Sequence, residues 1–220
     1  FKPHELPGTL ICVEGIDGSG KSTQLGILRD WLKSKNLDVI FTEWNSSDLI
    51  SQTTKKAKKK NLLSPRTFSL LHAVDFADRL EQIIIPAMKA GFIVLADRYV
   101  YTAFARDVAR GVDRDWVRNM YGFAVKPDLA LYYSIPAEVS LERICANRAP
   151  SFYEAGMDLK LSNNPYKSYV IFQSRVNEEY ADMVNEFGLV RIDANNTIHS
   201  KQVLLRQYVT ELLSKKGIQI

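Results

Sequence analysis

A glycine-rich segment near the start of the chain has the residue types that bind phosphate. Residues 15–23 read GIDGSGKST and match G-x4-G-K-[ST] at every fixed position. Glycines let the backbone curl so that successive N–H groups point at phosphate oxygens, and a following helix adds the partial positive charge of its N-terminus. The segment therefore predicts a loop that binds a nucleoside triphosphate through Gly15, Gly18, Ser19, Gly20, Lys21, Ser22 and Thr23.

The end of this loop carries groups that act on phosphates and on a metal. Lys21 is expected to reach the β- and γ-phosphates, and the Ser22 hydroxyl to ligate Mg²⁺. Asp97 follows a later apolar run, and a carboxylate at the carboxyl end of a strand faces the ligand crevice of a parallel sheet. We therefore predict that Asp97 holds magnesium or its waters. The alternative is that Asp97 caps the helix that follows it.

The class of triphosphate-binding protein can be narrowed from segments that the chain lacks. A GTPase needs an Asn/Thr-Lys-x-Asp base reader, and the sequence has none. A motor-type ATPase more often ends its third strand in paired acids, whereas here the residues are Asp97-Arg98. These features favour a phosphotransferase that uses ATP and Mg²⁺.

The elements that must position these groups alternate along the chain. Short apolar, β-branched runs are predicted as strands over 10–14, 38–42, 92–96, 129–135 and 189–192. Helices are predicted over 22–35, 65–89, 99–110, 136–147, 168–187 and 198–215. Strand–helix alternation requires crossovers, so we predict an α/β fold with a parallel sheet covered on both faces.

Three segments interrupt this alternation. Residues 55–60 read KKAKKK and are interpreted as a solvated face, with an anion- or partner-binding surface as the alternative. Residues 149–165 are rich in Pro, Gly, Ser and Asn, which indicates an excursion from the core. Residues 193–197 read DANNT and indicate a polar loop. With neither a repeat nor a long linker, residues 1–220 are predicted to form one domain.

Composition limits the partners and the compartment. The 220 residues are 46% hydrophobic with a net charge of +4, which suits anionic ligands but is too modest for a nucleic-acid binder. The apolar runs are too short to cross a membrane. Cys12 and Cys145 form no paired framework and are expected as two buried thiols, typical of a cytoplasmic protein.

Four motifs in order resemble the thymidylate kinase family of nucleoside monophosphate kinases. The first is the loop at 15–23, with its acidic residue Asp17, and the second is Asp97-Arg98-Tyr99 with Thr102 and Ala105. The third comprises KPDL at 126–129, IPAEV at 135–139 and LER at 141–143. The fourth is an F-x-x-R-V-x-x-x-Y pattern formed by Phe172, Arg175, Val176 and Tyr180.

This resemblance implies a fold and a reaction. The fold would be that of the P-loop NTPases, with a five-stranded parallel sheet doubly wound by helices and a lid over about 147–167. The reaction would transfer phosphate from ATP to a nucleoside monophosphate, most simply dTMP to dTDP. The family usually forms homodimers, so a homodimer is expected.

The resemblance also implies roles for charged residues. Asp17 would contact the acceptor's sugar or order its phosphate site, and Arg98 would bridge the two phosphates. Arg143 would lie over the adenine, with a helix-surface ion pair to Glu138 or Glu142 as the alternative. The adenine loop at 193–197 includes Asp193 and Asn195.

The catalytic arginine of the lid is expected to come from the excursion, because Gly18 stands where some family members have an arginine. Arg148 is our choice and Lys160 the second; the alternative for Arg148 is a solvated lid residue. A single arginine of this kind contributes about 10³–10⁵-fold in rate.

The acceptor pocket departs from the family pattern. The turn after the second strand reads TEWN at 42–45, without the arginine that would grip the monophosphate. A gapless alignment puts His72 and Phe76 at the base-reading positions, while a shifted one restores Arg79 but needs an insertion. The candidate acceptor-binding residues are Asp17, Phe68, His72, Phe76, Arg98, Tyr99, Arg106 and Asp107.

These departures leave three functions open. A carboxylate such as Asp107 at the base edge prefers hydrogen-bond donors, so a nucleotide or nucleoside other than dTMP is an alternative acceptor. Arg106 could replace the missing phosphate-gripping arginine. A nucleotide-binding regulatory domain without acceptor chemistry is the third possibility, against which the intact loop counts.

Overall fold

A five-stranded parallel sheet lies at the centre of the computed structural model, which describes residues 2–61 and 63–219. Its strands stand in the order β2-β3-β1-β4-β5. They are β1 (Thr9–Glu14), β2 (Val39–Glu43), β3 (Ile93–Asp97), β4 (Leu129–Ser134) and β5 (Val190–Asp193). Each of the five predicted strands is present, with its ends displaced by one residue or so.

Helices in two groups surround this sheet. α1 and α9 pack on each other, and α1 lies against β1, β2 and β3, while α3, α5, α7 and α8 form a second packed group. The helices are α1 (Lys21–Ser34), α2 (Ser51–Lys59), α3 (Pro65–Arg79), α4 (Ile85–Lys89), α5 (Val100–Val108), α6 (Arg114–Met120), α7 (Ala137–Cys145), α8 (Pro165–Phe187) and α9 (Ile198–Lys215).

The central strands are covered on both faces. Every residue of β1 and of β3 is buried. Successive side chains of a strand point to opposite faces, so complete burial requires helices on both sides. The predicted α/β fold with a doubly wound parallel sheet is therefore confirmed.

The strand order places a ligand crevice at the ends of β1 and β3. The chain passes from β1 to β2 on one side and from β3 to β4 on the other, so the order reverses between β1 and β3. Val13 pairs with Asp97 in the register of these strands. Ligands of open α/β sheets bind outside the carboxyl ends at such a reversal.

The long helix predicted over 65–89 is present but interrupted. A π-helical turn occupies Leu80–Ile84 between α3 and α4, and the N–H of Ile85 donates to the carbonyl of Leu80, five residues back. The next residue, Pro86, has no N–H and its ring crowds the carbonyl four residues earlier. A wider turn before it accommodates this conflict.

Two helices were not predicted. α2 contains the basic run and buries only Thr54, so it has no apolar stripe of helical period to reveal it. α6 is short, but Asp113 accepts a hydrogen bond from the Trp116 N–H at 2.8 Å. This N-cap is a signal from which α6 could have been found.

The excursion packs against the helices of the second group. It consists of turns and a 3₁₀ helix at Met157–Leu159. The Tyr153 ring packs at a tilt against that of Phe68 in α3, with ring centroids 4.8 Å apart, and Gln173 of α8 donates to the Glu154 carbonyl at 2.7 Å. Its movement as a lid and the single-domain organisation stay predictions.

Two expectations from composition can be compared with the structure. Cys12 is buried as expected, but Cys145 is exposed because it ends α7, so the prediction of two buried thiols is wrong for Cys145. In the described part of the chain, each helix is too short or too polar to traverse a bilayer.

Candidate active site

The predicted phosphate loop connects β1 to α1, and its glycines are required by its shape. Gly15 has φ 135°, and a Cβ there would lie 2.6 Å from the carbonyl oxygen of Tyr133. Gly18 has φ 73°, and its Cβ would lie 2.8 Å from the Ser140 carbonyl oxygen. Gly20 caps α1 in the left-handed conformation. The loop is therefore held closely against β4 and α7, with the first N–H groups of α1 at its open side.

Lys21 is a buried cation whose partners are neutral. Its Nζ donates to the Ile16 carbonyl at 2.7 Å and to Ser19 Oγ at 3.1 Å. Burial, followed by the positive charge of Arg98, lowers the pKa of Lys21 to about 7, against the opposing effect of Asp97. A phosphate oxygen beside Nζ would supply the missing anion, so this residue fits a bound triphosphate.

Ser22 and Asp97 meet at the mouth of the loop. Ser22 Oγ donates to Asp97 Oδ2 at 2.5 Å. Asp97 does not cap the next helix, because α5 begins at Val100 with Tyr99 at the N-cap position and no side-chain cap. Hydroxyl and carboxylate oxygens suit Mg²⁺, which usually takes one or two protein ligands and completes its shell with phosphates and water. Across 2–61 and 63–219, no cluster of three His, Cys, Asp or Glu residues forms an all-protein metal site.

Two adjoining cavities open beside the loop. The first, which we call the loop cavity, has a volume of about 370 Å³ and is lined by Lys21, Ser22, Thr23, Glu43 and Asp97 among others. The second, which we call the aromatic cavity, measures about 440 Å³ and is lined by Phe68, His72, Tyr153, Lys58 and Arg106 among others. Asp17, Trp44 and Arg98 line both cavities and mark their boundary.

Asp17, Arg98 and Arg106 form an ion cluster at this boundary. Arg98 Nη2 lies 2.6 Å from Asp17 Oδ1, and Arg106 Nη2 contacts the other oxygen of the same carboxylate. Burial alone would raise the pKa of Asp17, but the charges of Arg106 and Arg98 hold it well below its usual range. Two guanidinium groups against one carboxylate leave the boundary positive, which suits a point where two phosphates meet.

Arg98 is held in this position at a conformational cost. Its φ of 73° is left-handed, a conformation that costs an L-residue roughly 1–3 kcal/mol. The backbone N–H of Arg98 donates to the Val13 carbonyl at 3.0 Å, and its Nη1 donates to the Gly15 carbonyl at 2.9 Å. Strain of this kind persists where the surroundings fix a residue for function.

Glu14 is a buried acid that sequence reasoning missed. Its Oε1 accepts from the Tyr99 N–H at 2.6 Å, and its Oε2 accepts from Thr102 Oγ1 at 2.7 Å and Tyr180 Oη at 2.8 Å. Burial raises the pKa of Glu14 despite these bonds. The carboxylate thereby ties the end of β1 to the segment that carries Arg98. A lone acid ending an apolar strand was the signal for it.

The aromatic cavity is walled by rings from three elements. Phe68 and His72 lie one turn apart on α3 with ring centroids 4.3 Å apart, and Trp44 meets His72 edge-on at 5.5 Å. Asp75 holds the turn that carries Trp44, because its carboxylate accepts from the Asn45 and Ser47 N–H groups at 3.0 and 2.9 Å. Sequence reasoning missed Trp44 and Tyr153. A planar base fits between such rings.

Comparison with known proteins agrees with this arrangement. A family model described as thymidylate kinase matches residues 13–203. The chain belongs to the thymidylate kinase family. A protein of Saccharolobus solfataricus named "Probable thymidylate kinase 2" is 46% identical over 210 residues, covering 94% of this chain and 98% of that protein. A "Probable thymidylate kinase" of Thermococcus onnurineus is 32% identical, covering 83% and 87%, and a "Thymidylate kinase" of Desulfotalea psychrophila is 37% identical, covering 64% and 71%.

Three acceptor-site candidates derived from the thymidylate kinase pattern do not reach the aromatic cavity. Phe76 is fully buried and packs edge-on against Tyr99 and Tyr121. Each step of four residues turns a helix by about 40° beyond a full turn, so Phe76 faces the core although Phe68 and His72 face the cavity. Tyr99 is also buried and its hydroxyl donates to the Val125 carbonyl at 2.9 Å. Asp107 lies beneath His72 and is fully buried.

Arg79 does not take the base-reading place of the family arginine either. Its side chain is fully buried, Nε donates to Thr42 Oγ1 at 3.0 Å, and Nη1 lies 3.5 Å from Asp75. The shifted alignment that would give it this role therefore has no support in the structure. Instead Arg79 braces the end of β2 below Trp44, whose ring lies 5.8 Å from the guanidinium carbon.

Arg143 joins the phosphate loop to the polar loop after β5. Its guanidinium donates to the Ala194 carbonyl at 3.2 Å and to the Gly18 carbonyl at 3.4 Å, rather than pairing with Glu138 or Glu142. Within the polar loop, the Asn195 N–H donates to Asp193 Oδ1 at 2.9 Å. Arg143, Asp193 and Asn195 thus lie together at the far end of the phosphate loop, and the adenine-binding role implied for them by the family resemblance stays a prediction.

The two lid candidates lie outside both cavities. Arg148 is half exposed and forms a two-pronged ion pair with Glu154, with both N–O distances at 2.7 Å. Lys160 is exposed on the outer part of the excursion. Arg148 would have to leave Glu154, which does line the aromatic cavity, before it could reach a phosphate. Its catalytic role stays a prediction.

The basic run of α2 is only partly a solvated face. Lys55, Lys56 and Lys60 are exposed, but Lys58 is half-buried and lines the aromatic cavity together with Lys59. The solvated interpretation is therefore wrong for Lys58. α2 lies beside the turn that carries Trp44, and this placement brings one face of a surface helix to the cavity.

Asp107 and His72 form a buried pair that makes a testable prediction for stability. Asp107 Oδ2 accepts from Ser69 Oγ at 2.6 Å, while Oδ1 lies 4.0 Å from His72 Nδ1. Burial raises the pKa of Asp107 to about 6, against the lowering effects of Ser69 and Arg110. Between pH 4 and 6 the folded chain keeps a proton that the unfolded chain releases, so this group's contribution to the free energy of unfolding falls as pH rises.

Asp107→Asn should remove this pH dependence. We compare the free energy of unfolding of the variant with that of the wild type at each pH. The variant-minus-wild-type difference should be roughly 3 kcal/mol larger at pH 8 than at pH 4. Urea denaturation at both pH values measures the difference, with exposed Asp115→Asn as the control. A difference between Asp107→Asn and wild type that does not change with pH would contradict the prediction.

Proposed function

We propose that this chain transfers the γ-phosphoryl group of ATP to dTMP, giving ADP and dTDP. One observation carries the proposal: a phosphate loop and an aromatic cavity meet at a shared positive boundary formed by Asp17, Arg98 and Arg106. Phosphoryl transfer requires a donor and an acceptor phosphate at one point, with cations around the charge that spreads over the oxygens. The names of the relatives support dTMP as the acceptor.

The donor side has the groups that ATP requires. The loop N–H groups and Lys21 would bind the β- and γ-phosphates, and Ser22 and Asp97 would hold Mg²⁺. The metal would supply charge neutralisation of the phosphate oxygens. Arg143 and the polar loop with Asp193 and Asn195 would lie along the adenosine.

The acceptor side has the groups that a nucleoside monophosphate requires. Phe68, His72 and Trp44 would enclose the base, and Asp17 would contact the sugar or fix the arginines. An oxygen of the acceptor phosphate would attack the γ-phosphorus while the bond to the β–γ bridging oxygen breaks. Arg98 borders both cavities and would touch both phosphates during this exchange.

The remaining alternatives have less support. Asp107 lies beneath His72 rather than in the cavity lining, which removes the main reason for an acceptor other than dTMP. The hydrogen bond between Ser22 and Asp97, with Lys21 and Arg98 lining the same cavity, favours an enzyme over a regulatory domain. The expected homodimer, the cytoplasmic location and the lack of nucleic-acid binding stay predictions.

An acceptor screen tests the proposal. Purified protein with Mg²⁺ and ATP is offered dTMP, AMP, GMP, CMP or thymidine, and ADP release is followed. We expect dTMP to give the highest kcat/KM. Higher kcat/KM with thymidine or another monophosphate would replace the proposed acceptor, and ATP binding with no acceptor-dependent ADP release would favour the regulatory function.

A further inference from the structure

The turn after β2 supplies no cation to the aromatic cavity. That turn carries Trp44 and Asn45, where the family resemblance leads one to expect an arginine that grips the acceptor phosphate. Four cations line the cavity near this turn. Lys59 is exposed, whereas Lys58, Arg98 and Arg106 are partly buried. They differ in whether a carboxylate already forms an ion pair with them.

Arg98 and Arg106 are both engaged by one carboxylate. Each contacts a different oxygen of Asp17, and Arg98 also donates to the Gly15 carbonyl. By contrast, no carboxylate of residues 2–61 or 63–219 lies within ion-pair distance of Lys58. Its ammonium instead lies 5.0 Å from the centre of the Phe68 ring. Lys58 is therefore the cation of this trio that is available to a new anion.

The placement of Lys58 follows from the geometry of α2. Thr54, four residues earlier, is the buried residue of this helix, and residues four apart share one face. The face that is fixed against the protein therefore also carries Lys58, and the neighbouring lysines at 55, 56 and 60 point to solvent. Its ammonium lies over the Phe68 ring at the cavity wall.

The charges around Lys58 disfavour its protonated, positively charged form when no anion is bound in the cavity. Burial lowers the pKa of Lys58 to about 8, and the charges of Arg106 and Arg110 act in the same direction, only partly offset by Asp75 and Asp17. A phosphate dianion among these groups would relieve the repulsion.

We propose that Lys58 of α2 binds the phosphate of the acceptor nucleotide and so replaces the arginine missing from the turn after β2. This inference rests on the proposed function, because it assumes a phosphorylated acceptor in the aromatic cavity. It assigns a binding role to Lys58 alone among the lysines of a surface helix that has no apolar stripe.

Lys58→Met tests this role, because methionine keeps the apolar stem and removes the charge. A hydrogen bond to a charged group contributes about 1.5–3 kcal/mol, so the KM and the Kd for dTMP should rise about 10–150-fold. The Kd for thymidine, which lacks the phosphate, and the KM for ATP should stay within twofold of wild type. Lys58→Arg should recover most of the dTMP affinity, and exposed Lys56→Met should behave as wild type.

Calorimetric titration with dTMP and with thymidine separates the outcomes. Unchanged dTMP affinity in Lys58→Met would overturn the inference, and so would an equal loss for thymidine, which would indicate packing against the base. If the wild type binds dTMP but does not phosphorylate it, the proposed function fails while the titrations still decide the role of Lys58. If it binds no dTMP, both fail.

Discussion

Replacing Arg98 by methionine is expected to lower kcat/KM for dTMP by about 10³–10⁵-fold. Arg98 lines both cavities and is fixed by its contacts with Asp17 and the Gly15 carbonyl. A guanidinium placed in advance where charge spreads over the transferred group stabilises the transition state without reorganising during the reaction. Methionine keeps an unbranched apolar side chain like the arginine stem and removes every donor.

The fold should survive this change. Arg106 still pairs with Asp17, so the carboxylate is not left alone, and Glu14 still fixes the backbone beside position 98. Steady-state kinetics give the loss, and thermal unfolding checks the fold. Arg114→Met is the control, since Arg114 pairs with Glu179 and Asp182 away from both cavities. A loss below tenfold would show that Arg98 has no catalytic role.

Lys21→Met should lower kcat by about 10²–10³-fold or more, the effect of removing one donor aimed at developing charge. The ammonium lies within the loop at 2.7 Å from the Ile16 carbonyl and has no carboxylate partner within 4 Å among the described residues. The lost interactions would be those with the β- and γ-phosphates. ATP binding should weaken less than kcat falls, because the loop N–H groups remain.

Single-turnover kinetics and an ATP titration distinguish these two effects. Lys33→Met, an exposed position at the other end of α1, is the matched control. Normal turnover by Lys21→Met would remove the basis for the donor site. A loss of ATP binding with normal kcat at saturating ATP would limit Lys21 to ground-state binding.

The donor half of the site was predictable from sequence because its groups are nearly contiguous. The loop glycines, Lys21 and Ser22 lie within nine residues, and their spacing by itself dictates the curled backbone. Asp97 was predicted to hold magnesium from its place after an apolar strand, and the structure brings it into contact with Ser22, the other predicted metal ligand. The sheet followed from the alternation of apolar runs with helix-length segments for the same local reason.

Helix prediction succeeded where a local signal was present and failed where it was absent. α9 begins and ends at the residues predicted, with Thr197 capping it through the Ser200 N–H. α2 has no such signal, since its stability comes from contacts of one buried face and not from an amphipathic pattern. The π turn before Pro86 had a local signal in the proline, but the sequence does not show whether the helix ends, kinks or widens there.

The acceptor half of the site was decided by tertiary structure. Trp44, Lys58, His72 and Tyr153 come from separate segments, and no spacing in the sequence relates them. Phe76 was expected in the cavity but faces the core, because the direction of a side chain depends on helix rotation and on neighbouring rings. Sequence alone therefore determined that the chain holds a phosphate loop on a parallel sheet. Only packing decided which cations and rings meet at the acceptor.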